Sequence, residues 1–180
     1  EWSLVHVGSI SATRNVPELW KALAGRIARD AEFRSRFKLR LIGGVDHTVQ
    51  RDLDASGLGP YIERIGQVDH NEALRHMQRA RTLLLPVNDT PNVGGFLPAK
   101  VFEYLAVQRP ILAVAPLDAD IVRVLGKGHR VVPRGDVAAI RSAVDALFSD
   151  AAVISTDISS YHRRSLTAQL AGVLGGLRHH

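Results

Sequence analysis

Lys100 and Glu103 stand three residues apart in the run Gly94-Gly95-Phe96-Leu97-Pro98-Ala99-Lys100-Val101-Phe102-Glu103-Tyr104-Leu105-Ala106. Pro98 suits the first position of a helix, which places Lys100 in the first turn and Glu103 on the same face. A cation there works against the helix dipole by about 0.3–1 kcal/mol, so an anionic ligand would offset it. The plain alternative is an i,i+3 surface ion pair contributing about 0.3 kcal/mol. Gly94 and Gly95, lacking Cβ atoms, would let a ligand approach the backbone N–H groups closely. A second cation, Arg14, closes the loop Gly8-Ser9-Ile10-Ser11-Ala12-Thr13-Arg14-Asn15 ahead of another helix. Its planar fork suits a diphosphate. Otherwise Arg14 is a solvated arginine before a helix.

Other chemistries find less support. No Gly-x-Gly-x-x-Gly follows Gly8 and no Gly-Lys-Ser/Thr loop is present, so nicotinamide and ATP sites are disfavoured. His47, His70, His76 and His129 are dispersed without metal-ligand spacing and read as surface or cap residues. His6, two residues before Gly8, either faces the same cleft or is a satisfied core histidine.

The elements that must position these residues alternate. Short β-rich runs fall near 2–7, 37–42, 61–65, 82–87, 111–115 and 129–132, and helical patterns near 16–33, 47–56, 70–80, 98–108, 118–125, 136–149 and 161–175. Asn15 and Glu18 form a candidate capping box, and Asp136 can cap the helix that follows it. Six strands joined by helices predict an α/β fold, a doubly wound, Rossmann-like parallel sheet ordered 3-2-1-4-5-6 with helices on both faces. Ligands in such sheets bind where the order reverses, between strands one and four. The loops after Val7 and Val87 sit there, and both exceed the usual two to six residues.

At 180 residues the chain suits one domain, with a core over about 2–150 and a closing helix over 161–175. With 46% hydrophobic residues it can bury a core, and with no cysteine it has neither a disulfide framework nor a thiolate nucleophile. No apolar run approaches the roughly 20 residues of a membrane span. The net charge of +5 raises nucleic acid as a partner. The cations gather at Arg34, Arg36, Lys38 and Arg40, and at Arg163 and Arg164, with a single aromatic, Phe37, among the first group. That favours a solvated face, or a contact with missing chain or an anionic membrane surface, over nucleic acid. The abrupt opening on a strand suggests a piece of a longer protein, and His179-His180 suggests a tag remnant.

The stretch Lys100-Val101-Phe102-Glu103-Tyr104-Leu105-Ala106, followed by Arg109-Pro110-Ile111-Leu112-Ala113, resembles the signature of the C-terminal domain of GT-B glycosyltransferases of the family 4 type. Val7-Gly8-Ser9-Ile10, Leu41-Ile42-Gly43-Gly44 and Ile65-Gly66-Gln67-Val68 are similar to the family's first three strand exits, and Tyr161-His162-Arg163-Arg164 to the start of its terminal helix. The resemblance implies half of a GT-B fold that binds a UDP- or GDP-sugar donor, with an N-terminal acceptor domain as partner. It implies a retaining, cytoplasmic enzyme needing no cofactor or obligatory metal, and an isolated domain without activity.

By the same resemblance, Arg14 and Lys100 bind and stabilise the leaving diphosphate, and Glu103 accepts from the ribose hydroxyls. Gly66 and Val68 border the base. Gly8, Ser9, Gly94, Gly95, Phe96 and Leu97 line the diphosphate and sugar. Two positions depart from the family. Gly95 stands where many members have a sugar-binding glutamate, and Ser9 where they have an arginine. A nucleotide-sugar-binding or scaffold domain without turnover is therefore the first alternative, and a basic nucleic-acid-binding domain the second.

Overall fold

A computed structural model describes residues 1–88, 97–126 and 128–149. Its six strands are β1 (Trp2–Val7), β2 (Phe37–Ile42), β3 (Ile62–Ile65), β4 (Thr82–Pro86), β5 (Ile111–Val114) and β6 (Arg130–Val132). They form one parallel sheet in the order β3-β2-β1-β4-β5-β6, as the alternation predicts. The helices are α1 (Pro17–Arg29), α2 (Ala31–Arg36), α3 (His47–Ala55), α4 (His70–Arg79), α5 (Lys100–Ala106), α6 (Asp120–Leu125) and α7 (Val137–Ser149). The helix expected near 161–175 lies outside the described residues.

Both faces of the central strands are buried, which explains why β1, β4 and β5 read as nearly continuous apolar runs. On one face Leu4, Leu39, Leu41, Leu84 and Leu112 pack against α1, α2, α3 and α7. On the other Val5, Leu83, Leu85 and Ile111 meet α4, α5 and α6. At the strands' N-terminal end Trp2, Phe33, Phe37 and Phe148 cluster with ring centroids 4.9–6.0 Å apart. The Arg26 guanidinium lies over Phe33 and Phe148 at 4.6 and 4.7 Å and pairs with Asp145 and Asp30. This knot fixes α1, α2 and α7 far from the opposite, C-terminal edge.

Three local expectations change. The helix predicted over 16–33 is two helices, because Asp30 ends α1 and its carboxylate accepts from Phe33 N–H at 2.9 Å to cap α2. Asn15 does not cap α1. Its amide accepts from Trp20 Nε1 at 2.9 Å and donates to Asp52 at 2.6 Å, while Val16 precedes the Pro17 that opens the helix. Pro98 lies before α5 rather than in it, so Lys100 is the first helical residue of a seven-residue helix. Asp136 does cap α7, accepting from Ala139 N–H at 2.8 Å.

Candidate functional site

Where β1 ends, Gly8 turns with φ +116° and donates its N–H to the Ile42 carbonyl at 2.8 Å. Beside it β2 ends in Gly43, also at φ +116°. A Cβ on Gly43 would stand 2.8 Å from the Gly8 carbonyl oxygen, so the two strand exits nest together only because no side chain separates them. The loop after Gly8 is held to its neighbour by Ile10 N–H to the Gly44 carbonyl and Asp46 N–H to the Ile10 carbonyl, both 2.9 Å.

Arg14 ends a single 3-10 turn and reaches back over this loop. Its Nε donates to Asn88 Oδ1 at 2.6 Å and a terminal nitrogen donates to the Ser9 carbonyl at 3.2 Å, tying the first loop to the exit of β4. Arg134, from the segment between β6 and α7, bonds the carbonyls of Thr13 at 3.1 Å, Val87 at 2.8 Å and Asn15. Two arginines thus fasten the two loops that flank the reversal of strand order.

Beneath them lies a cavity of about 170 Å³, bounded by His6, Gly8, Arg14, Pro86, Pro98 and Lys100. A second, of about 210 Å³, adjoins it across Gly8 and Lys100, where Gly43, Gln67, Val68 and His70 form the wall. Lys100 Nζ bonds Glu103 Oε2 at 2.9 Å, so in this state the pair neutralises itself. Both side chains are partly exposed, 30% and 40%, and such a pair contributes no more than about 1 kcal/mol, little enough for a ligand to exchange. One residue on, buried Tyr104 accepts the Val7 N–H at 2.9 Å and pins α5 to the end of β1. Burial pushes its phenol up, so it stays protonated.

His6 is 4% exposed, and its Nδ1 lies 3.0 Å from the Leu84 carbonyl. A carbonyl only accepts, so Nδ1 carries the proton and Nε2 holds a lone pair. Burial brings the imidazole down from 6.5 to about 4; the Arg14 and Lys100 cations act the same way, against the Leu84 and Ser9 carbonyls. The ring is neutral, and among the described residues Nε2 is buried without a hydrogen-bond partner. Of the two readings of His6, a core histidine is thus met at Nδ1 only, and the ring borders the cleft.

Of the residues singled out by sequence, Gly8, Arg14 and Lys100 surround one cavity, Val68 borders the next, and Glu103 joins through Lys100. Ser9 contributes its carbonyl to Arg14. Gly66 is exposed beyond β3, and Leu97 packs on the apolar cluster of α4, α5 and α6. Gly94, Gly95 and Phe96 lie outside the described residues. Gln67 belongs to the Gly66-Gln67-Val68 turn that the resemblance sets against the base, whereas sequence reasoning gave Asn88 and Arg134 no role and read His70 as a surface or cap residue. Only His70 carried a signal, its place one turn after the Gly66-Gln67-Val68 exit.

The other features lie elsewhere. A cavity of about 210 Å³ is bordered by Pro17, Lys21, Asp52, Ala55 and Ser56, beside α1 and α3, and shares no lining residue with the two at Gly8. The Asp-x-Asp triplets Asp52-Leu53-Asp54 and Asp118-Ala119-Asp120 border neither cavity at Gly8 and Lys100. Asp52 accepts from Asn15 at 2.6 Å, Asp54 from Arg64 at 2.8 Å and Asp120 from Arg123 at 3.2 Å. In the basic cluster Arg40 meets Glu1 at 2.9 Å and Glu63 at 2.5 Å, Arg36 meets Glu32 at 2.8 Å, and Arg34 bonds the Ile27 carbonyl.

Fold and site define a doubly wound α/β domain with a cleft at its topological switch point, the Rossmann-like half of a GT-B fold. The chain belongs to the glycosyl transferases group 1, whose family model matches residues 1–150. Among curated proteins none matches the sequence. Solved structures share the fold at low identity. Anabaena Alr3699/HepE in complex with UDP superposes with a TM-score of 0.70 at 15% identity, over 98% of this chain and 49% of that one. An alpha,alpha-trehalose-phosphate synthase (UDP-forming) from Burkholderia xenovorans gives 0.63 at 16% identity, over 85% and 36%. The C-terminal domain of a glycosyl transferase group 1 family protein (LpcC) from Francisella tularensis gives 0.59 at 18% identity, over 83% and 76%. The chain thus spans about a third to a half of the first two proteins. Among the described residues no helix is long and apolar enough to cross a membrane.

Proposed function

We propose that this chain is the donor-binding half of a retaining glycosyltransferase that takes a sugar from a nucleoside diphosphate sugar. The observation that carries the reading is the convergence of Gly8, Arg14 and Lys100 on one cavity between the exits of β1 and β4. Two cations there suit a diphosphate, and Glu103, three residues from Lys100, offers two acceptor oxygens to a ribose diol. Val68 and Gln67 border the adjoining space where the base would lie. As the bond to the sugar breaks, charge grows on the leaving diphosphate, and Arg14 and Lys100 stabilise it electrostatically. No residue of this chain is assigned to metal or cofactor binding.

The acceptor is assigned to a preceding domain, in keeping with the share of the longer neighbours that this chain spans. UDP is the first ligand to test, since one neighbour is in complex with it and another is UDP-forming. Calorimetric titration of the chain with UDP and GDP tests the reading. Binding of one at a single site supports it, and no heat from either at millimolar ligand contradicts it. A second reading, a donor-binding domain without turnover, draws on Ser9 and Gly95 standing where charged ligands are common in the family. Donor binding by a full-length protein that never transfers sugar would favour it.

A further inference from the structure

The buried Nε2 of His6 has no role in the proposal above, and an unmatched buried acceptor is costly enough to call for a partner in some state of the protein. Arg14 and Lys100 both line the cavity beside it, and Arg14 is already engaged with Asn88 and the Ser9 carbonyl, which leaves Lys100 as the donor free to turn. An ideal Cβ built on Gly8 would lie 4.0 Å from His6 Nε2 and 4.0 Å from Lys100 Cε, so the two groups face each other across the space that glycine leaves empty. The Lys100 ammonium, one bond beyond Cε, has three N–H donors, of which one is engaged with Glu103.

We propose that His6 is a positioning residue for Lys100. When Glu103 is drawn away, the Lys100 ammonium turns over Gly8 and donates to His6 Nε2, which holds it in the diphosphate cavity. The inference rests on the reading of that cavity as a nucleoside diphosphate site, with the ligand's ribose taking Glu103. The tautomer is already set for it, because the Leu84 carbonyl keeps the proton on Nδ1. So is the charge, because a buried neutral ring can accept from an ammonium where an imidazolium would repel it. Gly8 is needed for the movement, since any side chain there would occupy the crossing.

The first test needs no ligand. In Glu103→Ala protein the ring ¹⁵N resonance of His6 Nε2 should move from that of a free lone pair to that of a hydrogen-bonded acceptor, and return in Glu103→Ala/Lys100→Met. A resonance unmoved in Glu103→Ala, or moved equally in the double variant, overturns the proposal.

The second test uses UDP and uridine. His6→Phe, which keeps a ring but removes the acceptor, should weaken UDP at least fivefold and uridine less than twofold. In a Lys100→Met background the same change should cost less than twofold, because contacting residues in one network are non-additive. His6→Gln, which restores an acceptor oxygen, should recover part of the loss. Equal losses for both ligands, or additive losses with Lys100→Met, would make His6 a packing residue only. Absence of UDP binding to the wild-type chain with the ¹⁵N response intact would overturn the nucleotide reading and leave the Lys100 station standing.

Discussion

The proposed function gives Lys100 the charge and Glu103 the hydroxyls of the donor, and that division can be measured. Lys100→Ala should weaken UDP by more than tenfold and uridine hardly at all, since a charge-assisted hydrogen bond contributes about 1.5–3 kcal/mol. Glu103→Gln keeps the shape and one acceptor, so it should weaken both ligands alike. Equal losses in the Lys100 variant would remove it from the phosphate role. His6 and His129 carry a second prediction. Burial holds both rings at about 4 against an ordinary 6.5, and His129 must stay neutral to accept from Ile111 N–H at 3.2 Å. As pH falls below 6.5 the unfolded chain takes up protons that the fold refuses until about 4, so stability is full above 6.5 and declines between them. At pH 5 the loss is about 2 kcal/mol per ring. Urea midpoints at pH 7 and pH 5 would reveal it, and equal midpoints would contradict it. These two roles differed in legibility. The spacing of Lys100 and Glu103 is a pattern in the sequence, whereas the orphaned Nε2 of His6 depends on a carbonyl 78 residues away, which no local pattern encodes.

The elements place these residues through a few contacts whose removal has calculable cost. Tyr104 holds α5 to the exit of β1 through its hydroxyl and the Val7 N–H. Tyr104→Phe leaves that buried N–H unpaired, at about 1–3 kcal/mol, and frees the end of β1 on which Gly8 stands. A lower melting temperature with weakened nucleotide binding is the expected result, and an unchanged pair of values would contradict the assignment. Gly43→Ala is expected to be harsher. It combines φ +116° with a Cβ 2.8 Å from a backbone oxygen that cannot yield, and should cost about 3 kcal/mol by denaturant unfolding. Element types were readable because strands and helices here alternate with clear period changes. The break at Asp30 was not, because Leu19, Leu23 and Ile27 continue smoothly toward Phe33 and only the cap separates α1 from α2. Arg134 was equally hidden. Its value lies in reaching three carbonyls of two distant loops, a property of the fold and not of its neighbours in sequence.

At the scale of the molecule the polar work is at one edge of the sheet and the aromatic knot at the other. The cluster Arg34 to Arg40 belongs to the second edge, where its charges meet Glu1, Glu32 and Glu63. A domain that binds donor alone should transfer no sugar, because aligning donor and acceptor supplies about 7–11 kcal/mol of such a barrier and the acceptor is assigned to another domain. Slow hydrolysis of donor is the most that should remain, and transfer by this chain at the rate of a longer protein would show that the halves are wrongly assigned. The most direct test of the central claim is an amide chemical-shift titration of this chain with UDP and GDP. Saturable shifts are expected at Gly8, Arg14, Val68, Lys100 and Glu103. Shifts confined to the Arg34 to Arg40 stretch, with those five amides silent, would contradict it.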